Sequence, residues 1–163
     1  MAIVLFLGLD TWMLLTNLCQ HFKDVPWSHF HLDKVPWTHI RYTGKSIKGA
    51  AMNFTAEVGS MQIRNGSITI SCDGLYLVSL KGFILFSDLE EEDLLKLTLQ
   101  KTDKTTSRAL WEQTVQESDN AVNLITVLYL FKYDNITLWT NSNATIADLS
   151  FSLVLQNPSN CSL

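Results

Sequence analysis

No cluster of Lys and Arg with aromatic residues set among them occurs anywhere in this sequence, and its formal net charge is −4. A nucleic-acid surface is therefore not its purpose, because polyanion binding draws on concentrated positive charge. The sequence also lacks a Gly-x-Ser-x-Gly elbow, cysteine pairs at metal-ligand spacing and the spacing of an EF-hand. Neither a hydrolase site nor a structural metal site is written into it, and an enzyme is not expected. Candidate metal ligands reduce to His21, His29, His31 and His39. The His29-x-His31 pair on an extended chain would place both imidazoles on one side, but nothing supplies a fixed third ligand or a second shell, so no metal and no cofactor is expected. The run Glu90-Glu91-Glu92-Asp93 reads as a solvated connection, since consecutive acids are neither the pair of a glycosidase nor a calcium loop. Helical periodicity is absent from Thr38 onward, and so is the Cys-Trp-Cys spacing of an immunoglobulin domain.

What remains is a chain of 163 residues that is 47% apolar, long enough for one domain with its own core. Cys72 to Gly82, reading CDGLYLVSLKG, is its organising stretch. After the Asp73-Gly74 turn signal the residues are largely apolar on both sides, as in a central strand from Leu75 to Phe86. Cys72 at its head calls for a partner; Cys19 lies inside an apolar run, which leaves Cys161. Weaker strands are expected at His39–Thr43 and Ala50–Thr55, and a hairpin of Met61–Arg64 with Ser67–Ser71 turns on Asn65-Gly66, the strongest short hairpin signal. Leu95–Gln100 and Arg108–Gln116 flank a polar turn, Ile136–Thr140 is a further strand, and Leu149–Gln156 is the last, ended by Pro158. Ala121–Phe131 is apolar on both faces. Val122, Leu124, Leu128 and Leu130 point one way, while Ile125, Val127, Tyr129 and Phe131 point the other and need a cover, most simply another copy of the chain. About ten short strands make an all-β sandwich of jelly-roll or immunoglobulin type.

Five Asn-x-Ser/Thr sequons, at Asn53, Asn65, Asn135, Asn143 and Asn160, favour a secreted or cell-surface protein; access to Asn160 would be hindered by a disulfide at Cys161. Ala2 to Cys19 is an apolar run broken by Asp10. As a helix it would span about 27 Å, close to the ~30 Å of a bilayer core, and it lacks the basic start and small-x-small site of a cleaved signal peptide. A signal anchor over residues 1–22 is the expectation. The positive-inside rule alone would put the Lys23 side in the cytosol, whereas the sequons need it outside; a basic tail ahead of the anchor would resolve the conflict. The copies VPWSHF at Val25 and VPWTHI at Val35 then read as an extended stalk over residues 23–37.

Gly74-Leu-Tyr-Leu-Val78 resembles the G-x-Y-x-I/V central strand of the tumour necrosis factor ligand family, and Tyr133-Asp-Asn-Ile-Thr-Leu138 resembles its G-D-x-I/V-x-L turn and strand. MQIRNGSITISCDGLYLVSLKG, FKYDNITLWT and LVLQNPSNC are similar to stretches of one member whose receptor is carried by T cells. The resemblance implies a tumour necrosis factor-like jelly-roll head over residues 38–163 and a single-pass type II membrane protein with its carboxyl-terminal domain outside, with a shed form as a second location. It also implies a homotrimer, with Ile125, Val127, Tyr129 and Phe131 in its interface, and a cysteine-rich receptor in the clefts between protomers, bound to give a co-stimulatory signal. The alternative is a secreted complement-like or lectin-like β-sandwich module, with the apolar start as a cleaved signal peptide.

Overall fold

Side chains that alternate between apolar and polar bury one face of each strand, and the chain answers this with two sheets laid core face to core face. The computed structural model describes residues 35–85 and 94–161, within a unit spanning Val35–Leu163. The expected anchor at 1–22 with His21, the stalk to residue 34 with His29 and His31, and the connection at 86–93 lie outside the described residues. Among the described residues there is no helix, hence none long and apolar enough to cross a membrane.

The strands are β1 (Trp37–Ser46), β2 (Val58–Gly59), β3 (Gln62–Arg64), β4 (Ser67–Thr69), β5 (Asp73–Leu85), β6 (Leu95–Thr102), β7 (Ser107–Val115), β8 (Ala121–Leu130), β9 (Asn135–Thr140) and β10 (Ala144–Asn160). One sheet has the order β2-β1-β10-β5-β8 and the other β3-β4-β9-β6-β7, and every named pairing is antiparallel. Between them sits a core of Ile40, Tyr76, Val78, Leu80 and Leu153 from the first sheet and Ile68, Leu95, Leu97, Leu99, Ile136 and Leu138 from the second. This is the all-β sandwich expected from the strand pattern, in the jelly-roll form that the resemblance implies.

The hairpin at Asn65-Gly66 pairs Arg64 with Ser67 across a two-residue loop, and both loop residues have positive φ, 49° and 72°. That is the turn whose twist suits a tight hairpin. Gly66 has a second reason to be glycine, since a Cβ there would collide with the Met52 carbonyl oxygen.

The first strand is longer than expected, Trp37–Ser46 against His39–Thr43, and the larger differences are at Ala50–Thr55 and at both ends of the last strand. Ala50–Thr55 is not a strand; it makes a single bridge, Ala51 to Trp139, while the Phe54 N–H turns back to the Met52 carbonyl at 3.0 Å. Met52 and Phe54 are buried regardless, and the Phe54 ring lies 6.4 Å from that of Phe151. The last strand begins at Ala144 rather than after the polar Asn141–Thr145 stretch, because Ala144, Ile146 and Leu149 all reach the core. Nor does Pro158 end it: β10 pairs with β1 only as far as Val154 and continues along β5 alone to Asn160, with irregularities at Leu155/Asn157 and Pro158/Asn160. A proline is tolerated where one flank has no strand to receive an N–H.

Candidate functional site

The face of the first sheet turned away from the core is apolar over one end. Register places Trp37, Val154, Leu77 and Val127 in one row across β1, β10, β5 and β8. A second row runs His39, Ser152, Ser79 and Ile125, and Leu75 pairs with Tyr129 beside them. Toward the other end Arg41, Ser150, Lys81 and Asn123 make the next such row polar. The four side chains expected to need a cover, Ile125, Val127, Tyr129 and Phe131, are 63, 53, 44 and 50% exposed. Leu75 is exposed as well. Such contiguous exposed apolar surface marks an interaction site far more often than a bare protein surface.

Beyond the end of β8 the chain turns through Lys132, Tyr133 and Asp134 into β9. Tyr133 is left-handed, with φ 74°, at the position where the resembling motif has glycine. The Lys101 ammonium of β6 donates to Asp134 Oδ2 at 2.7 Å, and both side chains are buried. The same oxygen accepts the Phe131 N–H at 2.9 Å. The ammonium also lies 5.1 Å from the Phe131 ring centroid, and that ring meets Tyr129 edge-on at 5.1 Å.

A cavity of about 650 Å³ opens beside the pair, lined by Lys104, Arg108, Lys132, Phe131 and Tyr133 among others. Its remaining carboxylate, Asp103, is committed to its own turn: the N–H groups of Thr105 and Thr106 lower its pKa to about 2, with help from the Thr106 hydroxyl. Cations and aromatics that are scattered along the sequence are thus gathered by two turns.

Cys72 and Cys161 are joined by a disulfide across 89 positions, with Cα atoms 4.9 Å apart. Three of the sequon asparagines lie on or beside the second sheet. Asn53 follows the Ala51–Trp139 bridge, Asn65 is at the β3–β4 hairpin tip and Asn135 opens β9, while Asn143 lies between β9 and β10. Asn53, Asn65 and Asn143 are exposed, whereas Asn135 accepts hydroxyl hydrogens from Ser67 and Thr69. Asn160 lies in β10, opposite Asp73. His39 shares 2.7 Å with Ser152 Oγ and lies 3.8 Å from Glu57, and among the described residues no three metal-ligating groups gather. The apolar partners Trp37, Leu77 and Val154 and the Lys101–Asp134 pair were not anticipated. Leu75 and Leu77 had signalled themselves by alternation on the second side of CDGLYLVSLKG.

No family model matches the chain. Human tumour necrosis factor ligand superfamily member 4 is 28% identical to it over 158 residues, covering 93% of this chain and 79% of that protein. Among solved structures, the Eiger tumour necrosis factor of S. frugiperda superposes with a TM-score of 0.56 at 13% identity, covering 78% of this chain and 98% of that one. In sequence and in fold, the chain is tumour necrosis factor-like. The fold alone would not select that family, because the globular domain of zebrafish complement 1qA also superposes, with a TM-score of 0.56 at 18% identity over 76% of this chain and 99% of that one. Both motifs of the tumour necrosis factor-like resemblance have local physical causes. At Gly74 a Cβ would strike the Asn157 carbonyl, Tyr76 is fully buried and donates its hydroxyl to the Cys72 carbonyl at 2.8 Å, and Val78 is in the core. Asp134 holds Lys101, and Ile136 and Leu138 are in the core. The human relative is by name a ligand.

Proposed function

We propose that the chain is a cell-surface cytokine ligand of the tumour necrosis factor type, whose head associates as a homotrimer and binds a cysteine-rich receptor of the tumour necrosis factor receptor superfamily. The observation that carries the proposal is the apolar outer face of the first sheet, where Ile125, Val127, Tyr129 and Phe131 stand exposed and Tyr129 and Val127 pair with Leu75 and Leu77. Three sequon asparagines on the second sheet's side, Asn53, Asn65 and Asn135, favour the same arrangement, since glycans there would leave the apolar face bare. The similarity to superfamily member 4 favours an OX-40-like receptor on T cells and a co-stimulatory signal. Residues 1–22 would be the type II anchor, 23–37 the stalk, whose last residue Trp37 already opens β1, and 38–163 the head, with Asn53, Asn65, Asn135, Asn143 and Asn160 as candidate glycan sites and Cys72–Cys161 as a structural clasp. The ligand would act by geometry: three receptors gathered on one trimer bind with avidity well above the affinity of a single contact.

The likeness to the complement 1qA domain supports a second reading, a secreted β-sandwich binding module. Binding of the extracellular part to a panel of tumour necrosis factor receptors, OX-40 among them, separates the two. Saturable binding to one receptor is expected, and no binding to any of them would sink the ligand reading. A mature amino terminus near residue 20 would remove the anchor.

A further inference from the structure

Lys101 and Asp134 are 33 positions apart and belong to different parts of the sandwich, Lys101 to β6 of the second sheet and Asp134 to the turn that follows β8 of the first. Their side chains are only 7 and 4% exposed. Burying two charges costs so much desolvation that an ion pair of this kind seldom stabilises a fold better than apolar residues of the same volume. Its contacts point instead to placement. Asp134 Oδ2 takes the Phe131 N–H while the Asp134 N–H returns to the Phe131 carbonyl at 3.0 Å, closing the turn on both sides of that residue. Lys101 then presents its ammonium to the Phe131 ring, and the ring presents its edge to Tyr129. Two charges buried in the head are therefore coupled, through a half-exposed ring, to the apolar face.

We infer that Lys101 and Asp134 form a positioning pair for self-assembly: they hold the Phe131 ring, and through it Tyr129, in the orientation in which the apolar face docks on a second copy. The pair contributes chiefly to assembly and little to the stability of the single head. This rests on the reading of that face as the trimer interface.

The test uses the full chain in detergent solution. The double variant K101M/D134N removes both charges at nearly constant volume and leaves an amide oxygen for the Phe131 N–H; F131L keeps the pair and removes the ring. The double variant is expected to unfold within a few degrees of the parent while its trimer dissociates roughly tenfold more readily, as expected for losing one partly desolvated cation–π contact. F131L should weaken the trimer to a similar degree. Combining the substitutions should add little, because both act through one ring. Losses that simply add, or assembly of either variant at the parent's strength, overturn the inference. F131L alters an exposed side chain and keeps the test decisive even where the double variant fails to fold. A fluorinated phenylalanine at position 131 separates this outcome from failure of the trimer reading. A monomeric parent sinks the trimer, whereas a fluorine resonance unmoved by K101M/D134N sinks the pair's hold on the ring whatever the oligomeric state.

Discussion

Thr38 sits in β1 with its side chain fully buried, and its hydroxyl has no hydrogen-bond partner. A buried hydroxyl without a partner loses its water and gains nothing in return, a penalty of about 1–3 kcal/mol, so Thr38→Val is expected to raise stability by about 1 kcal/mol in chemical denaturation. An unchanged or lowered midpoint would show that the hydroxyl is satisfied in solution. Tyr76 is the contrasting case, a buried hydroxyl that is satisfied. Burial pushes its pKa up to about 12, with a smaller raising effect from Asp73. Because the folded chain holds this proton more tightly than the unfolded one, the stability it contributes is complete below pH 10 and is lost as pH rises toward 12. Tyr76→Phe should cost about 1 kcal/mol at neutral pH and flatten the alkaline decline; a decline as steep as the parent's would place its cause elsewhere. The buried Tyr76 was legible in the sequence because it belongs to a local pattern, whereas the Lys101–Asp134 pair was not, since its members are distant along the chain and each alone reads as an ordinary surface charge.

At the scale of elements, strands were legible wherever alternation and a turn signal coincided, as at Asn65-Gly66 and at Leu95, Leu97 and Leu99. They were misread where tertiary contact replaced pairing. Met52 and Phe54 alternate and are buried as in a strand, yet apart from the single Ala51–Trp139 bridge no ladder runs beside them. The far end of β10 depends on a different device. Beyond Val154 it has β5 as its only strand partner, it is irregular at two places, and the Cys72–Cys161 bond ties it down. The loop closed by that bond, 89 positions long, corresponds to about 4–5 kcal/mol in the chain-entropy account, an upper figure comparable with the whole net stability of many domains. Cys161→Ser, or reduction without substitution, should therefore lower the unfolding midpoint by many degrees and speed hydrogen exchange first at Leu155–Asn160. Exchange that rises evenly over all of β10 and β5 would mean that the bond supports the sheet as a unit and not its end.

For the whole molecule the deciding contrast is between two outer faces. The second sheet shows Lys96, Thr98 and Glu112 to solvent, with ion-pair and hydrogen-bond contacts of 3.5 and 3.4 Å among them, and carries the sequon asparagines Asn65 at a hairpin tip and Asn135 at the start of β9. The first shows Val127 in a row with Trp37, Val154 and Leu77. Val127 is half exposed in the single chain, so Val127→Lys should change the stability of an isolated head by no more than about 0.5 kcal/mol. In a trimer that buries this row, the same lysine would have to lose its water with no acidic group opposite it in the row, and the dissociation constant should rise by roughly a hundredfold or more. Thr114→Lys, an exposed position on the edge strand of the second sheet, should leave assembly untouched. Sedimentation across a range of concentrations reads the mass directly, and receptor binding on the same samples reads the consequence. A monomer that still binds, but about two orders of magnitude more weakly on a surface carrying many receptors, would show avidity lost with the contact site intact. A V127K chain that sediments as the parent trimer would place the interface on some other surface and leave this apolar face to a different partner.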